Sequence, residues 1–502
     1  MQTSSGTGSS YLWGPPPMSK QTKRQRLAIL LETLEPGANV DVPTAQLVAM
    51  VGKYLANPAD DVVWLTLAVL GAELPVRDDV VALRRRFWLE APVAVLDAVA
   101  SAGIRSSIPL RASNRVSRVV SDTVVVDVHH TARTGLATGI QRVVRKTIAE
   151  WTKSHEILLV GWNSSLTSLR ELSAKEAENA LYGTAPHAGS DAVADEILIP
   201  WKCDYILPEL AVEDSRTSRI AAMAEFSGNR SMLIGFDCVP LTSAETIGAG
   251  MGAGFARNLV AAAHFSKIAT ISEAAASEYS GWRMMLGSAG LTGPQIKSVF
   301  LPSDAGSVTD AQLAAARKTL ATGDLPLVLC VGSHEPRKNH LAVLTAAEVL
   351  WKQGRQFSLA FVGGNAWGAE EFQHRLAVLE EEGRPVKTVH AITDALLWGG
   401  YRVARCTVFP SINEGFGLPV AESLAVGTPV VTSGYGSMAE IAVQGGGILV
   451  DPRDDEALAS GMASALFDDD VNARLRREAA GRSVRTWSDY ADDVWDYFFT
   501  EA

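Results

Sequence analysis

The chain of 502 residues is 47% apolar and carries a formal net charge of -11. That length favours two or three domains over one, and the acidic balance speaks against a nucleic-acid binder, whose surface presents a basic field. Cys203, Cys238, Cys330 and Cys406 are scattered with no CxxC pair or close histidine, so neither a disulfide framework nor a zinc site is expected, and a cytoplasmic location fits.

Residues 1–17, MQTSSGTGSSYLWGPPP, are rich in Ser, Gly and Pro and read as a flexible leader, either a cloning remnant or an upstream start with Met18 as the alternative beginning. Residues 18–112 read as a small helical module, because LAILLETL, TAQLVAMVGKYL, VVWLTLAVLGAEL and VVALRRRFWLEAPVAVLDAVA place apolar residues three and four apart between Pro and Gly breaks. The longest uncharged apolar stretch, Val62 to Ala72, is too short to span a bilayer, and no charged and apolar signal opens the chain. Any membrane contact is therefore expected to be peripheral, with LRRRFWLEAPV its candidate; the module is equally a candidate for self-association into a homo-oligomer.

At Thr123 the pattern changes to an apolar strand, TVVVDVHH, then a Gly/Thr loop and the helix IQRVVRKTIAEW. EILLVGW, DEILIP, DYILPEL, SMLIGFD, KIATIS and IKSVFLP follow as strands, so residues 118–310 read as one parallel-sheet domain. The cycle restarts with LPLVLCVG, SLAFVGG, VKTVHA, CTVFPS, TPVVTS and GGILVD, giving a second Rossmann-like domain over 323–480. Residues 481–502, ending in YADDVWDYFF, read as a terminal helix. The predicted fold class is α/β: two Rossmann-like domains facing across a cleft, with chemistry in the loops after the strands.

Two of those loops are informative. In VGSHEPRKNHLAVL, Gly332 ends a strand and Arg337 and Lys338 stand just ahead of a helix, where two cations and a helix amino end suit an anion. A diphosphate leaving group gains charge as its glycosidic bond breaks, so fixed cations would favour the transition state. A solvated Arg-Lys pair is the alternative. In FPSINEGFGLPVAESLAVGTPVV, Glu414 and Glu422 are separated by seven residues. Gly415 and Gly417 allow close approach of a ligand, and Pro419 suits a helix start. Glu422, about one turn into the helix, could take both hydroxyls of a ribose, whereas Glu414 could touch a sugar. A helix-start Glu can also simply complement the dipole.

VGSHEPRKNH, FVGGNAWGAEEF, ITDALLWGGYRVARCTVFPSINEGFGLPVAESLAVGTPVVTS and GGGILVDPRD together resemble the family 4 retaining glycosyltransferases of the GT-B fold. The resemblance covers about 150 residues tightly, and the EPRKN form is similar to the mannosyl- and rhamnosyltransferases of bacterial surface polysaccharide synthesis. It implies a nucleoside-diphosphate sugar donor, GDP-mannose favoured, with no cofactor and no metal. The donor site it implies comprises Gly332, Arg337, Lys338, Glu414, Gly415, Phe416, Gly417, Leu418 and Glu422. The acceptor is expected to be a saccharide or lipid-linked saccharide. Retention is expected by departure and attack on the same face, because no nucleophilic carboxylate is assured on the far face.

The first domain matches more loosely. Thr138, Gly139 and Arg142, after strand TVVVDVHH, are either the phosphate and acceptor loop of such enzymes or an ordinary strand-to-helix connector. LIGFDCVPL resembles a His-Asp-x-x-Pro segment in which Asp237 and Pro240 match, Phe236 replaces the histidine, and Asp237 is the catalytic candidate; His129 or His130 could substitute. Ser272 is expected as a helix N-cap, and Ser437 with Glu440 as a capping box. Asp468, Asp469 and Asp470 read as a solvated charge run. Trp487 and its helix either cross back to the first domain or pack on their own. A sugar-nucleotide epimerase or phosphorylase, or a non-catalytic scaffold on this fold, is the competing reading.

Overall fold

The computed structural model describes residues 22–102, 115–135, 138–184, 196–248, 250–302 and 305–500. The expected leader at 1–17 and the end of the helical module at 103–112 lie outside them.

Five helices open the described chain: α1 (Lys23–Leu34), α2 (Thr44–Tyr54), α3 (Asp60–Gly71), α4 (Arg77–Leu89) and α5 (Pro92–Ala102). Thr22 caps α1 in a reciprocal capping box with Gln25. α3 is apolar around most of its circumference, with Val63 to Leu70 buried without interruption, which marks a helix surrounded by protein. The helices share one hydrophobic core with the sheet behind them, in which Trp64, Leu67 and Phe87 join Ile197, Tyr205 and Phe226. Buried Arg26 stitches this joint by donating to Leu70 O at 2.8 Å and to Arg115 O at 3.2 Å.

The first sheet comprises β1 (Val116–Val120), β2 (Val124–Asp127), β3 (Leu158–Trp162), β4 (Leu169–Glu171), β5 (Glu196–Pro200), β6 (Asp204–Leu207), β7 (Arg230–Gly235), β8 (Lys267–Thr270) and β9 (Gln295–Ser298). Their order is β1-β5-β4-β3-β2-β6-β7-β8-β9. The expectation of a purely parallel sheet fails at β4, which runs antiparallel to β3 and β5. The turn from Trp162 to Leu169 is too short for a crossover helix, so the chain must reverse. Strand β1, starting at Val116, was missed because its pattern, VSRVV, has only three apolar residues and sits at a sheet edge.

The second sheet, β10 (Leu327–Val331), β11 (Ser358–Val362), β12 (Val386–Val389), β13 (Cys406–Phe409), β14 (Val430–Ser433) and β15 (Gly447–Val450), is parallel throughout in the order β12-β11-β10-β13-β14-β15. Strand order reverses between β10 and β13 here, and beside β2 in the first sheet. At such switch points adjacent loops splay apart at the carboxyl ends of the strands and open a crevice. The expected loops follow β10 and β13 here, and β2 there.

The last helix, Trp487–Phe499, packs on the first domain. Trp151 of α7 (Gly139–Ser154) donates its indole N–H to Ala491 O at 2.9 Å. Buried Lys267 on β8 donates to Tyr497 O at 2.9 Å and Thr500 O at 2.5 Å, placing a cation where the helix ends in carbonyls.

Candidate active site

Arg337 and Lys338 occupy a single 3-10 turn, Pro336–Lys338, between β10 and the helix His340–Lys352. Asn339 anchors that turn, donating to Pro410 O and Pro452 O. Both cations turn toward the loop after β13. Lys338 Nζ reaches Glu414 Oε1 at 2.5 Å, and Arg337 Nη1 lies 2.7 Å from Glu414 Oε2 and donates to Asn413 O at 2.7 Å. Ser411 adds a hydroxyl to Glu414 Oε1 at 2.7 Å, and Glu335 accepts from Arg337 Nη2 at 2.7 Å. Burial works to raise the Glu414 carboxyl, but Lys338 and Arg337 outweigh it and hold its pKa down to about 2. Gly332 closes β10 beside the Lys338 side chain. The residues expected to hold a diphosphate and to touch a sugar thus form one interlocked ion-pair cluster.

Gly417, at φ +103°, turns the loop into the helix Leu418–Ala425, with Pro419 in its first turn. Glu422 on that helix is only 5% exposed. Its Oε2 accepts from the buried Tyr401 hydroxyl at 2.7 Å, and its Oε1 pairs with Arg142, the expected loop residue of the first domain. Burial raises the Glu422 carboxyl above its usual range, with Arg142 and Tyr401 opposing. Thr138 precedes α7, its hydroxyl bonded to Gln141, and a Cβ at Gly139 would lie 3.5 Å from Leu418.

Gly415 approaches the opposite domain. A Cβ there would sit 2.6 Å from Asp237 Oδ2 and 2.9 Å from Phe236 O, so the missing side chain admits the β7 loop of the first domain. Burial drives the Asp237 carboxyl up to about 6, further raised by Glu278 and Glu414 and opposed by Arg337. Phe236, where a histidine was expected, is buried in an apolar cluster with Phe416, Met438 and Tyr490 that spans both domains. His129 Nδ1 accepts from Trp162 N at 3.0 Å, and burial, with Arg216, lowers its pKa to about 3. His130 is exposed, with Gln141 Nε2 3.4 Å from its Nδ1.

The expected Ser437–Glu440 capping box does not form. Ser437 donates instead to Glu414 O at 2.8 Å, while Glu440 accepts from Glu273 N at 3.0 Å and Ala274 N at 2.6 Å, capping the helix Glu273–Leu286 of the other domain. Ser272 is the N-cap expected of it and also donates to Gly415 O at 2.6 Å. Local spacing could not foresee a cap supplied from across a cleft. Asp468 caps the helix Asp469–Ala480 and Asp469 pairs with Arg405, so that run belongs to a helix start.

Sequence reading missed Tyr401, Ser411 and the buried network beneath α6 (His129–Arg133). In it Arg216 donates to Asp127 at 3.0 Å and Glu209 at 2.8 Å, while Glu209 accepts from His130 N and Thr131 N. Isolated acids and arginines carry no periodic signal. Among the described residues no group of His, Cys, Asp or Glu is placed to hold a metal ion, and no helix is long and apolar enough to cross a membrane.

Two Rossmann-like sheets with facing switch-point loops define the GT-B architecture of glycosyltransferases. Anabaena HepE, solved in complex with UDP and glucose, superposes over 75% of this chain and 99% of its own with a TM-score of 0.54 at 12% identity. Residues 313–482 match the family described as glycosyl transferases group 1. Over 147 residues, 29% of this chain, it is 30% identical to the serotype-specific mannosyltransferase WbdA of Escherichia coli, of which the match spans 17%. Over 142 residues it is 33% identical to the O-antigen chain mannosyltransferase B of Escherichia coli, spanning 37% of that protein.

Proposed function

We propose that the protein is a retaining, metal-independent hexosyltransferase that moves mannose, or failing that rhamnose, from a nucleoside-diphosphate sugar to a saccharide or lipid-linked saccharide in surface polysaccharide synthesis. The observation that carries this is the convergence of Arg337, Lys338 and Glu414 at the carboxyl ends of β10 and β13, with Glu422 on the first turns of the helix that follows β13. The mannosyltransferase names of the relatives support the sugar. In the proposed reaction the bond from the anomeric carbon to the diphosphate breaks as the acceptor oxygen attacks the same face. Arg337 and Lys338 stabilise the charge gathering on the leaving diphosphate, which takes the acceptor's proton. Glu414 orients the sugar and Glu422 the ribose. Asp237 faces the donor loop from the other wall. Trp88 and Leu89, 63% and 85% exposed beside Arg85, support a peripheral contact with the membrane that would hold a lipid-linked acceptor.

A thermal-shift screen with GDP-mannose, dTDP-rhamnose, UDP-glucose and UDP-GlcNAc tests the donor, since a ligand that binds only the folded state raises Tm by mass action. GDP-mannose should give the largest shift, and wild type but not Glu414→Ala should hydrolyse it slowly. Equal hydrolysis by both proteins would remove Glu414 from the site, and no shift with any donor would overturn the reading.

A further inference from the structure

The Arg142–Glu422 ion pair joins residues 280 positions apart, one from each wall of the cleft. Glu422 offers two oxygens. One is fixed, because the Tyr401 hydroxyl that donates to it belongs to a fully buried ring packed beside Trp398, and Thr428 Oγ1 holds the Tyr401 carbonyl at 2.8 Å. The other faces the cleft and is covered by Arg142, whose side chain remains 33% exposed against 7% for Glu422. Arg142 stands on the first turn of α7, whose amino end rests on Leu418 of the donor loop. An acceptor-only carboxylate gives each oxygen two lone pairs, and of the two oxygens here the one under Arg142 is held by a partly exposed side chain that can swing away.

We infer that Arg142 is a displaceable occupant of the ribose carboxylate: its guanidinium holds the Glu422 oxygen that the ribose hydroxyls of the donor take, so the nucleotide and α7 compete for one group. This rests on the donor reading above and adds a gate to it. Other bridges over the cleft, among them those from Ser272 to Gly415, from Glu440 to Glu273 and Ala274, and from Asn413 to Ser243, bypass Glu422 and can persist while this one exchanges. A ligand that must replace a pre-formed contact binds more weakly by the worth of that contact. Arg142 therefore lowers affinity for the nucleotide, the opposite of what a cation contacting the diphosphate directly would do.

Titration calorimetry with GDP, UDP and dTDP on wild type, Arg142→Gln and Arg142→Met separates the two. Both variants should bind the preferred nucleotide more tightly, about fivefold, as expected for removing a partly exposed ion pair. With the 2′,3′-dideoxy form of that nucleotide, which has no hydroxyls to claim Glu422, variants and wild type should bind alike. Arg142→Met retains an unbranched aliphatic stem and keeps the test decisive should Arg142→Gln fold poorly. Unchanged or weaker binding by the variants would overturn the gate while leaving the donor reading intact. Wild type that binds none of GDP, UDP and dTDP would overturn both.

Discussion

Lys338 and Glu414 meet at 2.5 Å although they lie 76 positions apart, and the contact ties the β10 loop to the β13 loop. Glu414 also engages Arg337, so its removal leaves two largely enclosed cations without their shared partner. Loss of one partner from a buried pair typically costs about 3–5 kcal/mol. Glu414→Gln should lower stability by an amount of that order in urea denaturation and reduce transfer about a hundredfold. The folded pKa of Glu414, about 2, lies below its ordinary 4.5, so its stabilisation is full above pH 4.5 and fades as pH falls toward 2. The gap between wild type and variant should narrow over that window.

Asp237 shifts the other way. Its folded pKa of about 6 stands above the ordinary 3.8, so its ionisation costs stability as pH rises through 6, and the cost is absent below 3.8. Asp237→Asn should therefore be more stable than wild type at pH 8, by on the order of 2 kcal/mol, and lose that advantage by pH 3.8. If Asp237 acts during transfer, kcat/KM of wild type should bend near pH 6 and that limb should vanish in the variant.

Gly415 is needed for closure. In Gly415→Ala the new methyl would meet Asp237 Oδ2 at 2.6 Å and the Phe236 carbonyl at 2.9 Å, and backbone on the far wall cannot rotate away. The expected outcome is a cleft held ajar: a larger radius of gyration by small-angle scattering, unchanged circular dichroism and transfer reduced about tenfold or more. Unchanged scattering with full activity would show that the two walls part freely.

Lys267 ties the terminal helix to β8 by donating to Tyr497 O, Phe498 O and Thr500 O. Lys267→Met keeps the buried stem and removes the donors. It should cost about 1–2 kcal/mol and speed hydrogen exchange of the amides of helix Trp487–Phe499 while leaving the second sheet protected.

Much of this was legible without coordinates. Apolar-rich segments between helical stretches predict all the strands except β1 and β4, and most of these, covered on both faces, write a nearly continuous apolar signal. Strand β4, three residues long, and the edge strand β1 write almost none. Arg337, Lys338, Glu414 and Glu422 stood out because they follow strands, and their loops do flank the β10–β13 switch point. Arg216, Asp127 and Tyr401 gave no signal, because a buried polar network is defined by which distant groups satisfy one another.

The sequence by itself determined the two α/β halves, the helical opening and the loops that carry the candidate donor residues, because hydrophobic period and turn chemistry are local properties. Only the tertiary structure decided who partners whom. Glu440 caps a helix of the other domain, Gly415 makes room for Asp237, Arg142 covers Glu422 and Phe236 seals an apolar joint across the cleft. Those choices depend on the relative placement of two sheets, which no spacing along one chain encodes.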